Sequence, residues 1–295
     1  MVGMTDRIKE QAHVLGPRQS LVGILSPATP APRDDIPYVV VLNAGIIHRI
    51  GPNRMSVNLA RELCARGFNV LRFDLSGIGD SDPREDVLPP LEAATADLRE
   101  ALDWLEQSRG ARRFVLVGLC SGADQSVIYG GDDRRVIGVV LLDPSIPRTG
   151  RFYRRHFATR MVNGRTWMAI LTGRHALWGK LLRRISPTPP EPGNARDVAV
   201  DSPAVRAFLE NAYQIAIKQG IKILAVFAGA GGREYEINYR EQILDAFPNV
   251  NFGTSMEIEY VKQSDHTFSF ESDRRHVIKV IVDWVQKIAG NPDRT

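Results

Sequence analysis

Compact apolar runs alternate with longer amphipathic stretches along most of this chain. Leu21–Leu25 and Tyr38–Leu42 read as strands, separated by the turn-rich stretch Ser26–Pro37. Ser56–Ala65 carries apolar residues at helical spacing and stops at Gly67, and Asn69–Phe73 is the next apolar run. Leu91, Leu98, Leu102 and Leu105 share one helical face ahead of strand Arg113–Val117. A short helix then runs towards Tyr129, followed by strand Ile137–Leu142. Ser202-Pro203 opens a helix with Val205, Phe208, Leu209 and Ala212 on one side, and Gly220 ends it. Strands Ile221–Phe227 and Met256–Val261 follow, then a last helix, His276–Ile288, with Val277, Ile281, Trp284 and Ile288 inward. Such repeated alternation predicts an α/β fold, a mainly parallel sheet covered by helices on both faces.

Segment 144–200 breaks the rhythm. It holds two amphipathic pieces, Phe152 to Met161 and Trp167 to Leu182, and leaves through a proline-rich stretch, Pro187 to Gly193. An insertion of this kind, placed after a strand, predicts a helical cap over the edge where parallel strands end. The expected organisation is therefore a core of 1–143 and 201–295 with a cap at 144–200.

Charge strengthens that division. The chain of 295 residues has a formal net charge of +4, yet between Pro144 and Pro190 ten Arg or Lys residues meet no Asp or Glu, so the remainder is net negative. A general nucleic-acid-binding surface is thereby disfavoured, and the basic stretch points to an anionic or carrier-bound partner. Hydrophobic content of 43% and charged content of 24% are ordinary for a globular protein. Two cysteines, Cys64 and Cys120, make no disulfide framework, and Cys64 lies on the apolar face of its helix. Met1 to Gly16 carries no apolar leader and no segment reaches membrane-spanning length, so a cytoplasmic location is expected.

The chemistry starts at Gly118-Leu119-Cys120-Ser121-Gly122, directly after an apolar strand. Glycines two before and two after a nucleophile let the backbone bend sharply enough to push that side chain out of the turn. In this register the apex is Cys120, because Ser121 would be flanked by Leu119 and Ala123. A thiol with a pKa of about 8.5 needs a base or cation beside it at neutral pH. His266, alone among six histidines, follows a late strand in a loop able to reach that turn. Three acids could orient its ring: Glu234 first, in the glycine-rich turn after Phe227, then Glu236, then Asp143. For the oxyanion, the Asn43-Ala44-Gly45-Ile46 loop after Leu42 offers a backbone N–H, Gly45 before Ala44 or Ile46, and Ser121 N–H is the second donor. Gly77-Ile78-Gly79 lacks the third glycine of a dinucleotide site and Pro83 follows it closely; no cluster has metal-ligand spacing, so no cofactor is expected.

These residues together resemble the α/β-hydrolase superfamily, in particular its serine-aminopeptidase-like and exosortase-associated types, with Cys at the nucleophile elbow. Asn43-Ala44-Gly45 stands where members commonly carry His-Gly. Asp74-Leu75-Ser76-Gly77-Ile78-Gly79-Asp80-Ser81 is similar to the family's Asp-x-x-Gly-x-Gly-x-Ser turn, and Asp265-His266 to its late His. The likeness runs from about Leu21 to Ile288. It implies an eight-stranded, mostly parallel sheet with a helical cap and a nucleophile–acid–His order. The expected activity is hydrolysis of a carboxylic ester or thioester, with a small-molecule acyl substrate. Acyl transfer on the same scaffold, or ligand binding without catalysis, are the alternatives.

Overall fold

The computed structural model describes residues 9–29, 35–155, 201–229 and 239–290. The cap expected over 144–200 falls largely outside them: residues 150–155 are helical, and 156–200 are not among the described residues.

One eight-stranded sheet runs β1-β2-β4-β3-β5-β6-β7-β8, made of β1 Gln11–Leu15, β2 Leu21–Ser26, β3 Tyr38–Val41, β4 Val70–Phe73, β5 Phe114–Leu119, β6 Val136–Leu142, β7 Lys222–Ala228 and β8 Met256–Val261. β1 and β2 pair antiparallel, as do β2 and β4. Every pairing from β4 across to β8 is parallel. The central strands explain why: β5 (FVLVGL) and β6 (VIGVVLL) are buried at every position, the continuous apolar run of a strand covered on both faces.

The helices are α1 Met55–Cys64, α2 Pro90–Arg109, α3 Ser121–Gly130, α4 Pro203–Lys218, α5 Gln242–Ala246 and α6 Glu271–Ala289. On one face Leu98, Leu102 and Leu105 of α2, Val127 of α3, and Leu209 and Tyr213 of α4 pack together. On the other, Leu59 and Leu63 of α1 meet Val277, Ile281 and Trp284 of α6. Local signals mark the ends of these helices, although the last one begins at Glu271, five residues before the His276 expected from its apolar stripe. α2 begins with Pro90 in its first turn and closes on left-handed Gly110, φ 69°. At α4, Ser202 Oγ accepts the Val205 N–H at 3.3 Å.

The eight-stranded fold matches the expectation, with differences in detail. Phe208 is 46% exposed, because the stripe that α4 turns inward is Leu209, Ala212, Tyr213 and Ala216, and Phe208 lies about 100° away from it around the helix. Leu91 is likewise 37% exposed, at the first turn of α2 before the helix reaches the sheet.

Candidate active site

Four chain segments meet beyond the carboxyl ends of the parallel strands. The first is the turn from β5 into α3. Cys120 sits at its apex with φ 57° and ψ −120°, a left-handed conformation that a side chain adopts only when its surroundings enforce it. Its N–H donates to Leu142 O at 2.9 Å, and its carbonyl accepts from Ala123 N and Asp124 N at 3.0 and 3.2 Å. Both motif glycines are required by contact. A Cβ on Gly118 would lie 2.1 Å from Gly122 C and O, and one on Gly122 would lie 2.3 Å from Asn43 O.

His266 arrives from the loop after β8. Asp265 shapes that loop, its Oδ1 accepting from the N–H groups of Thr267 and Ser269, each at 3.0 Å. His266 Nδ1 bonds Asp143 Oδ2 at 2.9 Å, and the His266 side chain also hydrogen-bonds Cys120. Asp143 directly follows β6, is 7% exposed, and has φ 43°. Its N–H is tied to Val226 O at 2.9 Å and its Oδ1 accepts Ala228 N–H at 2.8 Å, so β7 grips it from the side. The acid beside the imidazole is therefore the third of the three considered from sequence, and Glu234 and Glu236 lie outside the described residues.

Burial lowers the His266 pKa, but the hydrogen bonds to Asp143 and Cys120 and the charges of both outweigh it, and the ring is pushed up to about 9. Burial pushes the Asp143 carboxyl up, against the pull of His266 and the Ala228 amide. The Ala228 N–H points at one oxygen of Asp143 and the His266 ring at the other.

Opposite the elbow stands the loop after β3. Asn43 is buried, its Oδ1 accepting Leu75 N–H at 2.7 Å and its Nδ2 donating to Ile47 O at 3.0 Å and Asp74 Oδ1 at 3.1 Å. Arg49 adds a backbone bond to Asp74 Oδ1 at 2.6 Å and a guanidinium bridge to Asp74 and Asp80. The turn that resembles Asp-x-x-Gly-x-Gly-x-Ser wraps this anchor. A Cβ on Gly79 would lie 2.2 Å from Asp74 Oδ2, and Ser81 Oγ donates to Asp74 O at 2.7 Å. Gly45, φ 56°, donates its N–H to Ser121 Oγ at 2.9 Å. Both residues named for the oxyanion thus face one another, and the Gly45 amide is already bonded to the Ser121 side chain.

Behind the elbow a cavity of about 20 Å³, lined by Met55, Leu59, Val117, Leu119 and Leu142 among others, has room for a water and not for an acyl chain. Cys64 is the opposite of Cys120. It is fully buried, it donates to Ser26 O at 3.2 Å, and burial pushes its thiol up to about 12. Among the described residues no group of His, Cys, Asp and Glu could hold a metal ion, and no helix is long and apolar enough to cross a membrane.

A parallel sheet with an elbow after β5 and a histidine after the last strand defines the α/β-hydrolase architecture. The alpha/beta hydrolase family matches residues 23–276, and the chain belongs to that family. Solved structures agree on the fold. An alpha-beta serine hydrolase homologue from Coxiella burnetii is 15% identical, with TM-score 0.56, covering 93% of this chain and 96% of that one. The esterase PF2001 of Pyrococcus furiosus is 13% identical, with TM-score 0.59 and 96% and 92% covered. Dienelactone hydrolase from Anabaena variabilis is 12% identical, with TM-score 0.57 and 94% and 98% covered. No curated protein matches.

Proposed function

We propose that this chain is an acyl hydrolase that cleaves a carboxylic ester or thioester through a thioacyl-enzyme on Cys120. The observation that carries the reading is the chain of contacts Cys120–His266–Asp143, with the sulfur on a strained apex and the imidazole held by a buried carboxylate.

An imidazolium beside the sulfur favours its thiolate form, the nucleophilic species. Sulfur attacks the acyl carbon, and the carbonyl π pair moves onto oxygen, which is held by the Ser121 amide and the donors facing it. Collapse of the adduct expels the alkoxide or thiolate leaving group, which takes the His266 proton. Acylation also removes the sulfur's charge, one cause of the raised imidazole pKa. The neutral ring then accepts a proton from water as the water attacks the thioester; collapse of this second adduct breaks the C–S bond, returns its electron pair to Cys120 and releases the carboxylic acid, while Asp143 keeps the ring in the productive tautomer.

Four arginines of the basic stretch, Arg148, Arg151, Arg154 and Arg155, lie among the described residues. Arg148 pairs with Asp201, and Arg151 with Asp245 and Glu241, so those charges are spent within the fold. Arg155 lies over the Tyr239 ring, and its charge and that of Asp143 both act on Tyr260.

A screen of p-nitrophenyl esters against acyl thioesters on wild type and Cys120→Ala, with iodoacetamide labelling followed by mass spectrometry, tests the proposal. Turnover lost in the variant, together with Cys120 labelling far faster than Cys64, is the expected result. Labelling of Cys120 at no more than the Cys64 rate, with no acyl turnover, points instead to a binding protein on this fold.

A further inference from the structure

We propose that the side-chain hydroxyl of Ser121, polarised by the Gly45 amide, donates to the oxyanion, so that Gly45 acts through Ser121 and does not touch the substrate oxygen. The inference rests on Cys120 being the nucleophile.

An N–H carries one proton, and that of Gly45 is committed to Ser121 Oγ at 2.9 Å, a full hydrogen bond. To reach a substrate oxygen, the N–H needs either a shift of the loop or a Ser121 side chain rotated off it. That loop is held from both sides of Gly45, by Asn43 on Leu75, Ile47 and Asp74, and by Arg49 on Asp74. A hydroxyl that accepts a hydrogen bond still has its own proton to give. Acceptance polarises it, which strengthens the bond it donates. Ser121 is the residue next to Cys120 and the first of α3, where the backbone N–H has no partner within the helix. One residue therefore offers two donors, N–H and Oγ–H, beside the sulfur that forms the tetrahedral adduct.

In the step itself the Sγ–C bond forms and the carbonyl π pair becomes the oxyanion. Ser121 keeps its proton and lengthens no covalent bond; it hydrogen-bonds more strongly to the charged oxygen than to the neutral carbonyl. The charge is then shared along Oγ to the Gly45 peptide. This makes the serine hydroxyl a catalytic group and Gly45 a positioning residue.

Trifluoroacetone separates the alternatives, because its hemithioketal on a cysteine places an oxygen on a tetrahedral carbon where the oxyanion develops and forms without turnover. Its inhibition constant is measured on full-length wild type, Ser121→Ala and Ser121→Thr, with the rate of Cys120 alkylation by iodoacetamide, a reaction that develops no oxyanion, as the parallel readout. Loss of one oxyanion donor predicts that Ser121→Ala weakens trifluoroacetone by about 10²-fold while alkylation stays near the wild-type rate, and that Ser121→Thr recovers most of the affinity. Unchanged or tighter binding in Ser121→Ala would show that the amide of Gly45, once uncovered, serves the oxygen directly, and overturns the proposal. Equal losses in binding and alkylation, or the same loss in both variants, would place the role of Ser121 in the thiolate or in packing, and also overturn it. Wild-type Cys120 that alkylates no faster than Cys64 removes the nucleophile itself, a result distinct from all of these.

Discussion

Asp143 holds a carboxylate where burial opposes its charge, on a residue with φ 43°. Such a backbone conformation typically costs about 1–3 kcal/mol, and here it lets the side chain turn back towards Ala228 N while Oδ2 faces His266. Asparagine at this position keeps the size and loses the role, since its amide can present N–H where Nδ1–H needs an acceptor. Asp143→Asn should therefore lower acyl turnover by about 10²–10⁴, the usual worth of general acid–base assistance. It should also remove the largest influence raising the imidazole pKa, so that Cys120 alkylation near neutral pH slows and its pH profile moves towards that of a free thiol. Glu234→Gln is the comparison. A loss of turnover as large as that of Asp143→Asn would hand the orienting role back to the acid that the glycine-rich turn after β7 first suggested.

The elbow is built by two elements that leave no room for a methyl group. α3 starts so close to the β3 loop that Gly122 nearly touches Asn43 O, and Gly118 nearly touches the first turn of α3. Both obstacles are backbone atoms, which cannot rotate away. Gly122→Ala should cost at least the 1–3 kcal/mol typical of overpacking, and push Asn43 and the Gly45 loop away from Ser121. Thermal melts and acyl turnover measure the two effects separately; a variant with wild-type values in both would show that the contact is dispensable. Gly118-x-Cys120-x-Gly122 was legible for this same reason, because the spacing is the steric requirement written out. His266 was legible from its place after β8. Asp143 was legible only as the third candidate acid, because it follows an unbroken apolar strand and looks like its polar end, while the grip of Ala228 N and Val226 O comes from a strand some 80 residues later. Strand β1 was hidden too. Gln11–Leu15 is an edge strand with only Leu15 buried, so it carries no apolar run, and its pairing with β2 is what reveals it.

At the scale of the whole molecule, parallel strands deliver their loops to one edge, and the site is assembled there from positions 43–49, 120–121, 143 and 266, which no local segment could hold together. Its electrostatics are therefore coupled to global folding. His266 is raised from 6.5 to about 9 by partners that exist only in the folded state. A basic group raised in this way stabilises fully below its unfolded pKa, near 6.5, and the contribution disappears as pH rises through about 9. Asp143→Asn removes the main partner, and it removes the Asp143 titration with it. The expected outcome is a wild-type advantage over Asp143→Asn that is largest near pH 6 and shrinks towards pH 9, by an amount of order 1–3 kcal/mol, or a few degrees in Tm. Melting curves of both proteins across that range decide it. Parallel Tm profiles would mean that the imidazole does not gain its proton affinity from folding. The thiolate–imidazolium pair proposed for Cys120 would then need another source of positive charge.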